Sequence, residues 1–316
     1  MNKPCFFHNL NIALLIAAAC IWAGADVAAQ TPEPGGVPVH TVVTVEAHKG
    51  SSPVINREDV MVYQGKDRDQ VVDWVPAQED HAALEFFILI DDSSNSTLGT
   101  QLNDIRKFID AQPPSAKIGV AYMQNGAAQI VQNLTTDHQA AENAFRLPLG
   151  TFGANASPYF SLSDLVKRWP SSNARREVLV VSNGVDPYYG IGDLLDPYLQ
   201  TAIEDAQRAG IIVSAIYTPG IGHFGHSYWL TYWGQLYLAE LAEKTGGEAY
   251  YIGFTGPPVA FAPYLDEQAN RLNHQFLLTF LARPPKKAGL QAIRIKTEVP
   301  NADLVAPHAV YVPTNP

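Results

Sequence analysis

The sequence predicts an α/β protein, with a doubly wound, mostly parallel sheet and an accessory antiparallel β unit. Three observations indicate this fold class. Strand-like and helix-like segments alternate from Leu84 to Gly253, which is typical of parallel sheets with crossover helices. The segments "EFFILI" and "REVLVVSNG" contain continuous apolar runs, as expected for strands that are covered on both faces. Short alternating strands precede and follow this region, and they predict the antiparallel unit.

The first 29 residues have the features of a secretory signal peptide. Lys3 precedes an apolar run, and the residues at Val27 and Ala29 predict cleavage before Gln30. The run of roughly 15 apolar residues is too short for a transmembrane span. We therefore expect a secreted or periplasmic protein that lacks cysteine after cleavage. A lipid anchor through Cys20 is the less favoured alternative.

Composition limits the class of partner. A content of 47% hydrophobic residues indicates a globular chain, and the formal net charge of -10 disfavours nucleic acid and anionic membrane surfaces. The same charge is compatible with protein partners, cations or neutral ligands.

The chain divides into four segments after the signal peptide. Residues 30–38 are rich in Pro and Gly and predict an extended leader. Residues 39–82 form an N-terminal β unit, residues 83–255 form the α/β domain, and residues 256–316 contain a helix and further strands. We expect the last strands, "LQAIRIKTEV" and "HAVYVP", to join the N-terminal unit, which has too few strands to be stable alone.

Local signals define the elements of the α/β domain. Asn125 and Gly126 tolerate positive φ angles and predict a hairpin turn. Thr136 has capping-box spacing from Gln139, which predicts the start of a helix. Ser157, followed by Pro158, is a predicted N-cap. Gly210 and a later pair of glycines predict helix ends before the strands "IIVSAIY" and "EAYYIG".

Polar clusters follow two of the buried strands. Asp91 to Ser96 follow the first, and Ser182, Asn183 and Asp186 follow a later one. In open α/β sheets, ligands bind beyond the carboxyl ends of the strands. The sequence therefore predicts a binding site that combines these clusters with the helix N-terminus at Ser157.

This combination resembles the von Willebrand factor A-type (vWA) domain. The metal-ion-dependent adhesion site of that family uses Asp-x-Ser-x-Ser after the first strand, a Thr from a later loop and an Asp after a later strand. The flanks "TVVTVEAHKGSSPVINREDVMVYQGK" and "LNHQFLLTF" resemble the bacterial secreted "VWFA-related" proteins first noted in acidobacteria. The resemblance covers most of residues 39–312.

The resemblance implies a set of metal ligands, namely Asp91, Ser93, Asn95, Ser157 and Asn183. A second register of the first loop would use Asp92, Ser94 and Ser96, and Asp186 is an additional candidate. Asn183 stands where the family has Asp, which removes a negative charge that Mg²⁺, Mn²⁺ or Ca²⁺ would favour. We therefore expect a degenerate metal site, and a hydrogen-bonded polar cluster is the alternative.

Aromatic residues mark a second candidate surface. Tyr228, Trp229 and Trp233 lie in an aromatic stretch that runs from Phe224 to Tyr237, and they are candidates for contact with a protein partner. The alternative is that they pack in the core. His223 and His226 lack a third ligand at metal-binding spacing, so a surface loop with two solvated histidines is favoured.

We expect a protein that is not an enzyme. The sequence contains no Gly-x-Ser-x-Gly, Ser-x-x-Lys or Gly-x-x-x-x-Gly-Lys motif. The first hypothesis is a protein-binding, adhesion-type module that presents the degenerate metal site to its partner. The alternative is a structural component of an envelope assembly that binds through the β unit or the aromatic helix.

Overall fold

A computed structural model describes residues 36–50, 52–150, 157–189, 192, 195–254 and 256–314. The predicted signal peptide, the cysteine of the alternative lipid anchor and most of the predicted leader lie outside these residues. None of the described helices is both long enough and apolar enough to cross a membrane.

The described residues form thirteen strands and seven α-helices. The strands are β1 (Val37–Ala47), β2 (Met61–Gln64), β3 (Asp67–Pro76), β4 (Leu84–Asp91), β5 (Lys117–Gln124), β6 (Ala127–Thr135), β7 (Arg175–Ser182), β8 (Ile211–Tyr217), β9 (Ala249–Tyr250), β10 (Gln275–Ala282), β11 (Gly289–Lys296), β12 (Ala302–Val305) and β13 (Ala309–Val312). The helices are α1 (Leu102–Asp110), α2 (His138–Asn143), α3 (Pro158–Arg168), α4 (Pro197–Ala209), α5 (His223–His226), α6 (Tyr228–Thr245) and α7 (Ala262–Asn273). Short 3₁₀ helices cover Arg57–Asp59, Glu79–His81 and Ser96–Thr100.

Six strands form a mixed sheet in the order β6-β5-β4-β7-β8-β9. Strand β4 pairs in parallel with β5 and β7, and β8 pairs in parallel with β7 and β9. Strand β6 is antiparallel to β5 because the two strands form a hairpin. The α/β class is thus confirmed, and the sheet is mixed rather than wholly parallel.

Both faces of the mixed sheet are covered by helices. Every residue of β4 is buried, which explains the continuous apolar run. Phe87 and Leu89 face a core that includes residues of α3, α4 and α6, whereas Ile88 and Ile90 face one that includes residues of α1 and α7. Full burial of each such side chain is worth about 1.5–3 kcal/mol, so these two cores fix β4 at the centre of the sheet.

The antiparallel sheet combines strands from both ends of the described chain. Its order is β12-β1-β10-β3-β2-β11-β13. Strand β1 pairs with β10 and β12, and β2 pairs with β11. This is the pairing that the short N-terminal strands need for stability. The domain bounds given above remain predictions, and β1 begins at Val37, inside the segment predicted as the leader.

The predicted hairpin is confirmed, whereas one predicted helix cap is wrong. Asn125 and Gly126 have φ angles of 53° and 75° between β5 and β6. Helix α2 begins one residue later than a Thr136 cap requires, because Asp137 is its N-cap and accepts a hydrogen bond from the N–H of Ala140 at 3.0 Å. Asp is the stronger capping residue.

A buried polar network joins the two sheets. Glu177 of β7 accepts hydrogen bonds from Gln268 of α7, at 3.1 Å, and from Gln275 of β10. Arg175 donates to the carbonyl of Leu272, at 2.9 Å, and to the side chain of Gln275, at 2.5 Å. Because Glu177 is fully buried, desolvation raises its pKa to about 7.

Candidate functional site

Loops from distant parts of the sequence meet at the carboxyl end of the mixed sheet. The N–H of Ile221 donates to the carbonyl of Ser93 at 3.2 Å, and the N–H of Asn95 donates to the carbonyl of Pro219 at 3.1 Å. The N–H of Gly150 donates to the carbonyl of Asp92 at 2.9 Å. We call the described residues 92–95, 147–150, 183–189, 218–232, 251–254 and 256–259 the rim.

Asp91 is the last residue of β4 and lies just beneath the rim. One of its oxygens, Oδ1, accepts hydrogen bonds from the N–H of Ser93 at 2.8 Å and from its hydroxyl at 2.7 Å. The other, Oδ2, accepts from the hydroxyl of Ser182 at 2.7 Å. Burial raises the pKa of Asp91, and the hydrogen bonds from Ser93 and Ser182 oppose that rise.

Asn183 joins this cluster through its amide nitrogen. Its Oδ1 accepts a hydrogen bond from the N–H of Val185 at 2.8 Å, which leaves Nδ2 to donate to the hydroxyl oxygen of Ser93 at 3.4 Å. The position at which the vWA family has a carboxylate thus presents a hydrogen-bond donor to the other predicted ligands.

The remaining residues of the first predicted ligand set have local capping roles. Asn95 accepts a hydrogen bond from the N–H of Thr97 at 3.0 Å and caps the 3₁₀ helix Ser96–Thr100. Ser157 is fully buried and accepts from the N–H of Tyr159 at 3.3 Å, which confirms it as the N-cap of α3. Of the first predicted ligand set, Asp91, Ser93 and Asn183 are therefore joined by hydrogen bonds. The side chain of Asn95 instead caps the 3₁₀ helix that follows it.

In the second possible ligand set, Asp92, Ser94 and Ser96, the carboxylate is already paired with the side chain of Arg146. Asp92 is fully buried and forms a two-pronged ion pair with Arg146, with both N–O distances 2.6 Å. The guanidinium also lies 3.8 Å from the centre of the Tyr122 ring, and the Asp92 carboxylate raises the pKa of Arg146. Of the other two residues, Ser94 is buried and its hydroxyl has no hydrogen-bond partner among the described residues, whereas Ser96 is exposed.

The cluster around Asp91 does not fit a divalent cation. The cluster contributes the negative charge of a single carboxylate, that of Asp91. Arg146 neutralises Asp92, and residue 183 is an asparagine with an uncharged amide. Both Asp91 oxygens and the Ser93 hydroxyl already have hydrogen-bond partners within the cluster. Hard cations favour carboxylate charge and free oxygen lone pairs. In the described part of the chain, no group of three or more His, Cys, Asp or Glu side chains is placed to hold a metal.

The aromatic residues of α6 divide into two kinds. Tyr228 and Trp229 are each 64% exposed at the start of the helix. Trp233 is half-buried and packs against the core, with its ring centre 5.8 Å from that of Tyr237. His223 and His226 lie in the short helix α5, ahead of the aromatic residues.

Two residues of the site make contacts that the sequence does not predict. Ser182 holds Asp91 from the neighbouring strand, and only its place at the end of an apolar run indicates that it reaches the site. Arg146 lies 54 residues from its partner Asp92, and no motif connects the two. Both contacts depend on the tertiary fold.

Comparisons with known proteins give structural similarities alone. No model of a protein family matches the chain, and a search of curated proteins finds no match. Among solved structures, the chain is similar to an aerotolerance-related membrane protein from Bacteroides fragilis with multiple mutations to serines. The two are 15% identical, with a TM-score of 0.45, and the match covers 60% of this chain and 98% of that one.

Two further structures have comparable similarity. The conserved hypothetical protein BatB from Bacteroides thetaiotaomicron is 15% identical, with a TM-score of 0.43, over 60% of this chain and 97% of that chain. The SpRpn10 VWA domain is 14% identical, with a TM-score of 0.39, over 58% and 94%. A VWA domain is thus among the structures to which the chain is similar.

Proposed function

We propose that the protein is a secreted or periplasmic protein-binding module that contacts its partner through the rim. The observation that carries this proposal is the position of the exposed apolar side chains. Most large hydrophobic side chains that are exposed in the described residues lie in or beside the rim, namely Leu147, Leu149, Phe160, Tyr188, Tyr189, Leu195, Tyr228, Trp229, Tyr232, Phe254 and Val259. Exposed apolar side chains concentrated at one edge are typical of binding surfaces.

The aromatic residues are expected to contribute most of the binding energy. Tyr and Trp combine a large apolar area with a polar group and lose few rotamers on binding. Tyr228 and Trp229 already contact each other, with ring centres 6.0 Å apart. They therefore offer a partner an ordered aromatic surface.

The Asp91 cluster supports the rim in this proposal without coordinating a metal. Its hydrogen bonds hold the loop after β4 against the loop after β7. A partner carboxylate, which would complete the metal shell in the vWA family, has no cation to bind at this cluster. The site is accordingly a degenerate metal-ion-dependent adhesion site.

Partner capture tests the proposal. The chain without residues 1–29 is immobilised and exposed to a native envelope extract, and the affinity of the captured, purified protein is measured by biolayer interferometry. Trp229→Ser should weaken binding by roughly 30-fold, the equivalent of a hot spot of about 2 kcal/mol. Asp91→Asn should change the affinity by less than about threefold, because in this proposal no metal is lost.

Tyr311→Ser is the matched control, since Tyr311 is 40% exposed on β13 of the antiparallel sheet, outside the rim. If binding survives Trp229→Ser and is lost with Tyr311→Ser, the partner does not bind at the rim. That result would favour the alternative, an envelope component that binds through the antiparallel sheet. Loss of binding with Asp91→Asn in a folded protein would instead support a metal-dependent contact.

A further inference from the structure

The antiparallel sheet contains a cleft between two strand segments that lack a neighbour on one side. The cleft has a volume of about 860 Å³, and it is lined by the second half of β11, Ile293–Lys296, and by β12, Ala302–Val305. Strand β13 pairs with β11 over Gly289–Ala292, and β12 pairs with β1 at the end of the sheet. None of the described strands lies between the two segments.

The backbone of β11 turns alternate hydrogen-bonding groups toward the cleft. The N–H of Ile293 donates to the carbonyl of His308 at 2.9 Å, at the edge that β13 occupies further along the strand. Successive residues of an antiparallel strand bond to opposite edges, each through both its N–H and its C=O. Ile295 therefore presents both groups to the cleft, whereas Arg294 and Lys296 bond to β2 on the other edge.

Strand β12 presents the same kind of groups from the opposite side. The N–H of His48 donates to the carbonyl of Asn301 at 3.1 Å, in register with the pairing of β1 and β12. Two residues later, Asp303 also bonds toward β1. The alternation turns the N–H and C=O groups of Ala302 and Leu304 away from β1 and toward the cleft.

The cleft is large enough for one short strand. Four residues of extended chain are about 14 Å long, and a strand takes up about 4.8 Å between its neighbours and about 10 Å through the sheet. A strand of this length therefore fills roughly 670 Å³, which is less than the volume of the cleft. The segments of β11 and β12 that line it are also four residues long.

The side chains of β11 and β12 indicate the chemistry of a strand that fits between them. Ile293, Ile295 and Ala302 belong to the core of the antiparallel sheet, so side chains of an added strand that point the same way enter an apolar environment. Arg294 and Lys296 are exposed on the opposite face of β11. Opposite charges on neighbouring strands attract, so acidic side chains fit that face.

The charge around the cleft also favours an acidic segment. The lining contains three Lys or Arg side chains and two Asp or Glu side chains, namely Lys244, Arg294, Lys296, Glu243 and Asp303. One of the two carboxylates, that of Asp303, is already in contact with the ring nitrogen of His48 at 2.7 Å. This local balance is opposite in sign to the formal net charge of -10 of the chain.

We propose that the cleft binds an extended segment of a partner protein in which apolar and acidic residues alternate. The segment adds a strand of about four residues between β11 and β12 and bonds to the backbones of Ile295 and Leu304. Its apolar side chains point toward the core, and its acidic side chains lie beside Arg294 and Lys296. The inference goes beyond the protein-binding role of the rim and does not depend on it, because the cleft shares no residue with the rim.

Fluorescence polarisation with a synthetic peptide tests the proposal. The probe is fluorescein-labelled Ser-Val-Glu-Val-Glu-Val-Ser-amide, and it is titrated with the chain without residues 1–29. We expect saturable binding. A peptide with Lys in place of both Glu residues should bind at least roughly tenfold more weakly. A peptide N-methylated at its three Val residues lacks the N–H donors of one edge and should show no measurable binding.

Two variants of the chain address the backbone and the charges separately. Leu304→Pro removes an N–H that faces the cleft, at an edge strand where Pro is tolerated, and should weaken probe binding roughly fivefold. The double variant Arg294→Ser/Lys296→Ser should also weaken it roughly fivefold. Circular dichroism establishes that each variant is folded.

The double variant Lys286→Ser/Lys287→Ser is the matched control, because it removes the same charge at exposed positions outside the cleft. It should leave the affinity for the probe unchanged. Trp229→Ser, which alters the rim, should also leave it unchanged, so a failure of the rim proposal is distinguishable from a failure of this one.

Several results would overturn the inference. They are absence of probe binding by the unaltered chain at up to about 1 mM, equal binding of the N-methylated peptide, and equal effects of the two double variants. Sedimentation of the chain without the probe examines a second copy as the occupant. A dimer that Leu304→Pro dissociates would show that the chain fills its own cleft, and it would overturn the inference as well.

Discussion

The two adjacent aspartates after β4 have different environments. Asp91 accepts hydrogen bonds from two serine residues, whereas Asp92 is paired with the guanidinium of Arg146. The sequence "IDDSSNS" predicts a polar site at this position, and the apolar run that ends at Ile90 favours Asp91 as the residue that leaves the strand. It does not predict which carboxylate is neutralised, because Arg146 reaches Asp92 only through the tertiary fold.

Removal of Arg146 should be strongly destabilising. Arg146→Met leaves the Asp92 carboxylate buried without its cation. We expect a loss of roughly 3 kcal/mol in the free energy of unfolding, at the low end for a broken buried pair because the Arg146 side chain is 37% exposed. Urea unfolding of the variant and of the unaltered chain measures this loss of free energy. The additional change Asp92→Asn should recover part of the loss.

Lys167→Met is the matched control, because Lys167 pairs with Asp205 and its own side chain is 58% exposed. Its cost should stay below about 1 kcal/mol. Equal losses of unfolding free energy for Arg146→Met and Lys167→Met would show that the Asp92–Arg146 pair stabilises the fold no more than an exposed ion pair does.

At the scale of elements, the sequence predicts most of the mixed sheet. Continuous apolar runs identify β4, β7 and β8, and positive-φ residues identify the β5–β6 hairpin and the C-terminal end of α4. The junction between the sheets is not predicted, because Glu177 follows Arg175 and Arg176 at the start of an apolar run, and nothing in this local sequence indicates its partners. Its partners, Gln268 and Gln275, are 91 and 98 residues away in the sequence.

The junction should make stability depend on pH. The pKa of Glu177 is raised from 4.5 to about 7 in the folded protein. Between these values the unfolded chain loses the proton that the folded chain retains, so the contribution of Glu177 to stability falls as pH rises from about 4.5 to 7 and then levels off. The change amounts to about 3 kcal/mol.

Urea unfolding of the unaltered chain and of Glu177→Gln, at intervals from pH 4.5 to 8, measures this contribution. The amide cannot ionise, so the stability of the variant relative to the unaltered chain should increase across this range. The difference between the two proteins isolates Glu177 from the other carboxylates. A difference that stays constant with pH would place the pKa of Glu177 near its ordinary value.

At the scale of the whole molecule, one antiparallel sheet brings together the two ends of the described chain. Pairing of β1 with β10 and of β2 with β11 places the mixed sheet between the N-terminal and C-terminal strands in the sequence. The rim belongs to the mixed sheet, and the exposed aromatic side chains of α6 lie there. The sequence offers the aromatic stretch either as a contact surface or as part of the core, and it cannot separate exposed Trp229 from half-buried Trp233, since both belong to that stretch.

Hydrogen exchange of the protein with its captured partner tests the central claim most directly. The account predicts slower amide exchange in rim peptides covering 183–189 and 218–232 when the partner is bound, with peptides of β11 and β13 unchanged. Slower exchange confined to the antiparallel sheet, with the rim unchanged, would contradict it.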